Sequence, residues 1–493
     1  MKNCCNPVYN DIDGLTVREP EIEALVAAYF QLGRADFTDT DGRVYRFGSP
    51  EGDGAFYGWE IDPKTGEPLA EGTLLFTLHP ERHGFERLLL PGLSETEAAD
   101  LSARSVRIEK RKKPGFFRRL FAGKKESGPP EGFVRLFCFK KDGIYYLTYG
   151  APSSVSPSLS SGAYVSRAPL GPYHYQLNNP FAQTSSGLLK GAGAGVLLND
   201  GEGRLYLAAR HVSGDGSLLS GALSIYPADT DEDGTLYTLH SFPDHPFLMP
   251  ARGELRASDE RTEDLKPYTA LLSWKKAFHA SSAASGHEAD AAGDEDPRTY
   301  FRPKTGGTQW LQTDLMESAS LSGIQLIFHP EAEGKKREGV PYLIEGSVDG
   351  DNWFVIADHS TEKMPSVNYI PLANVRARYV ILILPLKDNR KAPGVTAFRI
   401  FGKKAGHSPE AASLVRARMT DGMSAEVGWR HDSRATGHVV LSGISPSKLY
   451  LSRTVYGADS VLLTELNKNQ HYYLRVDSFN ECGITKGAVL KLK

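Results

Sequence analysis

One turn grammar recurs along the first half of this chain and restricts what it can fold into. "DTDGRVYRFGS" (39–49), "KKDGIYYLTYGAP" (140–152), "NDGEGRLYLAARH" (199–211) and "DEDGTLYTLH" (231–240) share it. In each, an acidic-Gly turn opens a run with Tyr and β-branched residues at alternate positions. Asp-Gly tolerates the positive φ of tight hairpin turns, and period-two alternation is the pattern of a half-buried strand. The 49 glycines, 30 prolines, 22 tyrosines and 22 phenylalanines extend the same reading. The expectation is an all-β chain.

Repetition of the unit at irregular intervals suggests small antiparallel sheets arranged as the blades of a propeller. At 493 residues there is room for two to four domains with sizeable cores. A formal charge of -3 argues against a surface that binds nucleic acid as a whole. No stretch approaches the roughly 18 consecutive apolar residues of a membrane span. The opening "MKNCCNPVYNDIDG" lacks the apolar core of a secretory signal. Cys4, Cys5, Cys138 and Cys482 show no metal spacing and read as reduced thiols. As the chain stands this points to the cytoplasm, and to the cell exterior if a leader precedes it.

Two segments break the strand pattern. "EPEIEALVAAYFQLGRADF" (19–37) has helical apolar spacing, and residues 92–130 are poor in strand signals. Within the latter, "RIEKRKKPGFFRRLFAGKK" (107–125) carries nine Lys or Arg among three Phe and a Leu. It reads as a solvated insertion, with contact to an anionic surface as the alternative. Polar stretches at 253–270 and 403–411 read as linkers. They divide the chain into 1–252, 271–402 and 412–493.

In the middle part, "SSAASGHEADAAGDEDPRTYFRP" (281–303), "GGTQWLQTDL" (306–315), "YLIEGSVDGDNWFVIAD" (342–358), "VRARYVIL" (375–382) and "TAFRIFG" (396–402) stand in order. This string resembles the discoidin, or coagulation-factor type C, module, a jelly-roll β-sandwich. The resemblance implies loops that bind glycans or lipid head groups. It also implies a structural calcium ion on "AGDEDPRTYF", with Asp294 and Asp296 as ligands; turn capping by Asp294 and an ion pair of Arg298 are the alternative. His279, His329 and Tyr342 are contributors to consider for sugar contact. The last part, with Trp429, "SKLYLSRTVYG" (447–457) and Leu466 six residues before Tyr472, resembles a fibronectin type III domain.

Residues 36–250 resemble glycoside hydrolase family 43, five-bladed propellers that cleave arabinosides and xylosides. Besides the four turns, "EIDPKTGEPLAEGTLLF" (60–76), "HPERHGFER" (79–87), "GAYVSRAPLGPYHYQLNNP" (162–180) and "GAGAG" (191–195) carry the likeness. Hydrolysis with inversion needs a carboxylate base and a carboxylic acid about 6.5–9.5 Å apart. The resemblance asks for the base on a first blade, where this chain offers Asp11 or Asp13 on what looks like an incomplete blade. It asks for a tuning Asp before the first turn, where Asp36 stands. It asks for an acid about eleven residues before Tyr145, where Val134 stands and Glu131 is three residues early. Where the family motif carries an axial His, this chain has Ala194. Ser220, Gly221 and Ala222 stand where relatives carry Glu-Arg-Arg, and His211 is a polar neighbour in the substrate region.

Five losses together point to a relative of these hydrolases with lost or weak catalysis. It would bind arabinose- or xylose-containing glycans of plant polysaccharides through the middle domain, with no required cofactor. Two other readings remain open. One is an active inverting α-L-arabinofuranosidase or β-xylosidase, with Glu131 as acid and Asp36 or Asp13 assisting. The other is a non-catalytic interaction platform.

Overall fold

The computed structural model describes residues 35–49, 54–87, 136–151, 159–184, 188, 191–199, 205–210, 223–238, 245, 268–304, 307–329, 340–364, 366–385, 393–430 and 432–492. Among them the chain is all-β. Its regular structure consists of antiparallel strands and two short 3-10 turns, Gly84–Glu86 and Ala289–Ala292. The helical reading of 19–37 is overturned at its end, where Ala35–Thr38 pair as a strand with β2; residues 19–34 and the whole of the basic segment 92–130 lie outside the described residues.

Three consecutive meanders come first. The first sheet is β1 (Ala35–Thr38), β2 (Val44–Gly48), β3 (Ala55–Ile61) and β4 (Thr73–Thr77). The second is β5 (Leu136–Lys141), β6 (Ile144–Ala151), β7 (Ser160–Ser166) and β8 (His174–Tyr175), with β9 (Ala182–Gln183) also pairing β7. The third is β10 (Gly193–Asn199), β11 (Leu205–Arg210), β12 (Leu223–Thr230) and β13 (Leu236–Thr238).

The repeated grammar has a repeated geometry. Asp39 N donates to Arg43 O and Gly42 N to Asp39 O; Asp231 N donates to Thr235 O and Gly234 N to Asp231 O. Between β5 and β6 the turn is the two-residue Asp142-Gly143, at φ 52° and 75°. Both residues need the left-handed region there, which is why an Asp-Gly pair occupies it.

The sheets are joined by ion pairs between buried aspartates and partly exposed lysines. Lys140 and Lys141 sit side by side at the end of β5. Lys140 Nζ donates to Asp39 of the first sheet at 2.5 Å, and Lys141 Nζ to Asp229 of the third at 2.8 Å. Tyr145 adds its hydroxyl to Asp39. Aromatic packing of Phe47, Phe56, Phe76, Tyr149 and Tyr164 fills the space between the first two sheets.

The middle sheet has seven strands: β14 (Ala270–Leu271), β15 (Phe278–Ala280), β16 (Gln309–Phe328), β17 (Val340–Ser347), β18 (Trp353–Met364), β19 (Val367–Leu384) and β20 (Val395–Lys404). Their spatial order is β14-β20-β16-β19-β17-β18, with β15 on β16. The long strands β16 and β19 shift register between Asp314 and Ala319 and again between Leu321 and Gly323. Such bulges bend a strand, so one strand can serve two layers. Leu311, Leu326, Leu382, Phe398 and Ile400 face a single core.

The last strands form two sheets: β21 (Ser413–Met419), β22 (Ala425–Arg430) and β25 (Ser460–Leu463) in one, and β23 (Gly437–Gly443), β24 (Leu451–Tyr456), β26 (Tyr473–Asn480), β27 (Gly483–Thr485) and β28 (Leu490–Lys491) in the other. Val427, Trp429, Val440 and Leu474 are buried between them. The Tyr472 hydroxyl accepts a hydrogen bond from Asn467 N at 2.8 Å, tying down the turn that leads into β26.

Both segments read as linkers carry some structure. Ala270 pairs with Gly402, the Tyr268 hydroxyl donates to Asn480 O, and β20 runs on to Lys404. The C-terminal sandwich also touches the first region. Tyr450 stacks on Tyr237 at 4.1 Å, and Lys448 binds Asp231 and Asp233 at 2.8 and 2.7 Å.

Candidate functional site

The carboxylates named from the sequence divide into those outside the described residues and those already committed to structural partners. Glu131, Asp13, Asp11 and His211 fall outside. Asp36 lies on β1, directly across from Arg46 on β2, and accepts Nε and Nη2 of that arginine at 2.7 and 2.8 Å. The guanidinium, itself nearly buried, also donates to Gly66 O. Asp39, three residues on, is more deeply placed. Burial would raise its carboxyl, but Lys140, the Tyr145 hydroxyl and Thr40 N outweigh that and hold it down at about 2. Both groups are bound to cationic side chains within a framework of strands.

The sequence reading passed over one carboxylate. Glu86 closes the 3-10 turn after β4, and its side chain is fully buried. It accepts the Tyr149 hydroxyl at 2.5 Å and His79 N at 2.6 Å. His83 Nδ1 is 3.1 Å away, without hydrogen-bond alignment. His83 stacks on Tyr175 at 3.6 Å, and Tyr164 packs against both Tyr149 and Tyr175. Burial, followed by the neighbouring charge of Glu86, pushes the Tyr149 and Tyr175 hydroxyls well above the usual phenol range.

Counting back from Tyr145 did not reach Glu86, which lies on the far side of the insertion 92–130.

The segment around Glu86 is held against the C-terminal sandwich. Gly84 N donates to Leu466 O, Lys468 N to Arg82 O, and Arg87 reaches Asp421, Ser424 and Thr464 O. The Tyr175 hydroxyl donates to Asn467 Oδ1.

"GAGAG" opens β10. A Cβ on Gly193 would lie 2.3 Å from Leu159 Cγ, and one on Gly195 2.6 Å from Ala208 O. The register of β10 against β11 shifts between Gly193 and Val196, which places Ala194 within that irregularity. These glycines serve close packing between strands.

In the middle domain, Asp294 and Asp296 share the loop expected to hold calcium. Asp294 accepts Asp296 N at 2.9 Å and the Thr299 hydroxyl at 2.6 Å. Asp296 is taken by the Arg298 guanidinium, with Nε at 2.8 Å and Nη2 at 2.5 Å. Between them Glu295, at φ 62°, pairs with Arg399, whose side chain is fully buried and also donates to Gln325 Oε1. A calcium ion needs six or more open oxygens. This donor set does not suit one, because guanidinium groups already neutralise two of its three carboxylates. Among the described residues no group of three or more His, Cys, Asp or Glu is placed to hold a metal.

The same domain carries an aromatic array at its surface. Tyr300 stacks on His287 at 4.1 Å and on His329 at 3.7 Å, all three half-buried. The bridge from Phe301 to Val395 and the close packing of Gly394 on Tyr300 and His329 fix the array. Arg302 lies over Tyr300, with its carbon Cζ 4.9 Å from the ring centre. Of the residues considered for sugar contact, His329 belongs to this array. His279 stands exposed on β15, and Tyr342 is fully buried in the core and out of reach of a ligand. Spacing gave no hint of the array, because its rings come from three separate segments.

Comparison with known proteins places one part of the chain in a family. Residues 277–397 match the F5/8 type C domain. No curated protein matches. A solved glycoside hydrolase is 17% identical over 75% of this chain and 70% of its own, with a TM-score of 0.34. A thermostable family-43 glycoside hydrolase is 17% identical over 45% of this chain and 59% of its own, at 0.29. The second chitosan-binding module of a chitosanase/glucanase from Paenibacillus sp. IK-5, solved with chitotriose, is 23% identical over 27% of this chain and 99% of its own, at 0.24.

Proposed function

We propose that this chain is a carbohydrate-binding protein that holds a glycan on the His287–Tyr300–His329 array of its F5/8 type C domain. The observation that carries this reading is the array itself: three stacked rings, partly exposed and rigidly mounted, within the matched residues. Rings of this kind cover the apolar C–H faces of a sugar while nearby polar groups fix its hydroxyls.

In this reading, residues 36–250 are a five-bladed propeller of the family 43 type with lost or weak catalysis. The last 82 residues are a fibronectin type III domain that braces it. The glycans are arabinose- or xylose-containing. What supports lost catalysis is the state of the carboxylates: Asp36 is bound to Arg46, and Glu86 is sealed beneath the C-terminal sandwich.

Titration of the full chain with arabinoxylan oligosaccharides tests the binding. Tyr300→Ala and His287→Ala should each weaken it about tenfold or more while the unfolding midpoint holds, because stacked rings dominate such contacts. Absence of binding by the wild type would overturn the reading. Aryl arabinofuranoside and xyloside should be turned over at background rate. Turnover that Glu86→Gln or Glu131→Gln abolishes would overturn the loss of catalysis and leave the binding reading in place.

A further inference from the structure

Arg302 differs from the other arginines near it. Arg298 binds Asp296, Arg378 binds Asp314 and Arg399 binds Glu295. Arg302 forms no ion pair or side-chain hydrogen bond among the described residues, and its Nε is sealed from solvent without a partner. Among the described residues its guanidinium meets the face of Tyr300.

The carboxylates of the same loop are occupied elsewhere. Glu288 accepts Gly286 N, Asp290 accepts Phe278 N, and Asp294 accepts Thr299. Glu295 and Asp296 hold their own arginines. Arg302 is also fixed in place. Its N donates to His287 O at 3.1 Å and its O accepts Ala284 N at 2.8 Å, so its backbone is tied to the array over which its guanidinium lies.

A guanidinium without a counter-charge favours an incoming oxyanion, which its terminal nitrogens can meet with charge-assisted hydrogen bonds. We propose that this site takes an acidic glycan, a sugar bearing a carboxylate or sulfate group, and that Arg302 reads the negative charge while the stacked rings hold the sugar face. The proposal rests on the array being the glycan platform and adds the class of sugar it selects.

The full chain is titrated with four probes: xylotriose carrying a glucuronosyl branch, the methyl ester of that branch, xylotriose sulfate, and plain xylotriose. The wild type should bind an acidic probe about tenfold or more tighter than the ester or plain xylotriose, the usual worth of a charged hydrogen bond. Arg302→Met should erase that preference, whereas Arg302→Lys should keep part of it. Preference for the branch alone or the sulfate alone identifies which source of charge is used.

Equal affinity for acid and ester together with no preference for the sulfate, or a preference that survives Arg302→Met, would overturn the assignment and leave the glycan reading standing. If none of the four probes binds, the glycan reading falls, and this inference with it. A thermal midpoint for Arg302→Met equal to wild type confirms that any loss is one of recognition.

Discussion

The loop before β5 and the array of the middle domain invite comparison, because each gathers histidine, tyrosine and one charged group. Around Glu86 every charged oxygen has a donor from the chain itself, and the C-terminal sandwich lies against the segment. Around Tyr300 the rings remain half-exposed and Arg302 has no counter-charge among the described residues. Similar residue types therefore carry opposite meanings. Satisfied polar groups stabilise a fold, whereas an unsatisfied charged group beside stacked rings marks a surface that awaits a ligand.

This contrast can be broken in order of effect. The largest loss belongs to Arg399→Met, which strips Glu295 of its buried partner. It should cost about 3–5 kcal/mol by denaturant unfolding, since one member of a buried pair is left uncompensated. Glu86→Ala orphans the Tyr149 hydroxyl and His79 N and should cost about 3 kcal/mol, with glycan affinity unchanged. An equal loss of affinity would mean the two regions are coupled. Lys448→Ala, at the partly exposed contact with Asp231 and Asp233, should cost about 1 kcal/mol or less and shrink with added salt. Calcium or a chelator should leave the unfolding midpoint of the full chain in place, because Arg298 and Arg399 already supply the cations of the 294–296 turn.

Acid sharpens the comparison differently. The Asp39 carboxyl is depressed to about 2 when folded, against an ordinary value of 3.8. Its contribution is therefore fully present above about pH 4 and is lost as pH falls through about 2. Stability curves of wild type and Asp39→Asn should converge over that window. Curves that stay parallel would show that the Lys140 contact contributes nothing.

How much was legible follows from the range of each interaction. The Asp-Gly turns and the strands they open were visible because a turn is decided by adjacent residues, and Asp142-Gly143 needs no distant partner. In the C-terminal part, the Leu466-to-Tyr472 spacing was visible for the same reason, since the turn that Tyr472 ties down is local. Glu86 was hidden because its burial and its contact with Tyr149 are set by packing between strands distant in sequence, which no local pattern carries. The array was hidden because residues 287, 300 and 329 meet only when the Phe301–Val395 bridge closes. Asp294 and Asp296 were read as calcium ligands from their own loop, but nothing local foretold that a side chain from β20 would neutralise the acidic residue between them.

Lys140 and Lys141 have a consequence for how β5 is aligned. Consecutive residues on a strand face opposite ways, and these two grip different neighbours. A slip of one position in β5 would send each ammonium away from its aspartate at the same moment, so the register of this one strand is held from both flanking sheets at once.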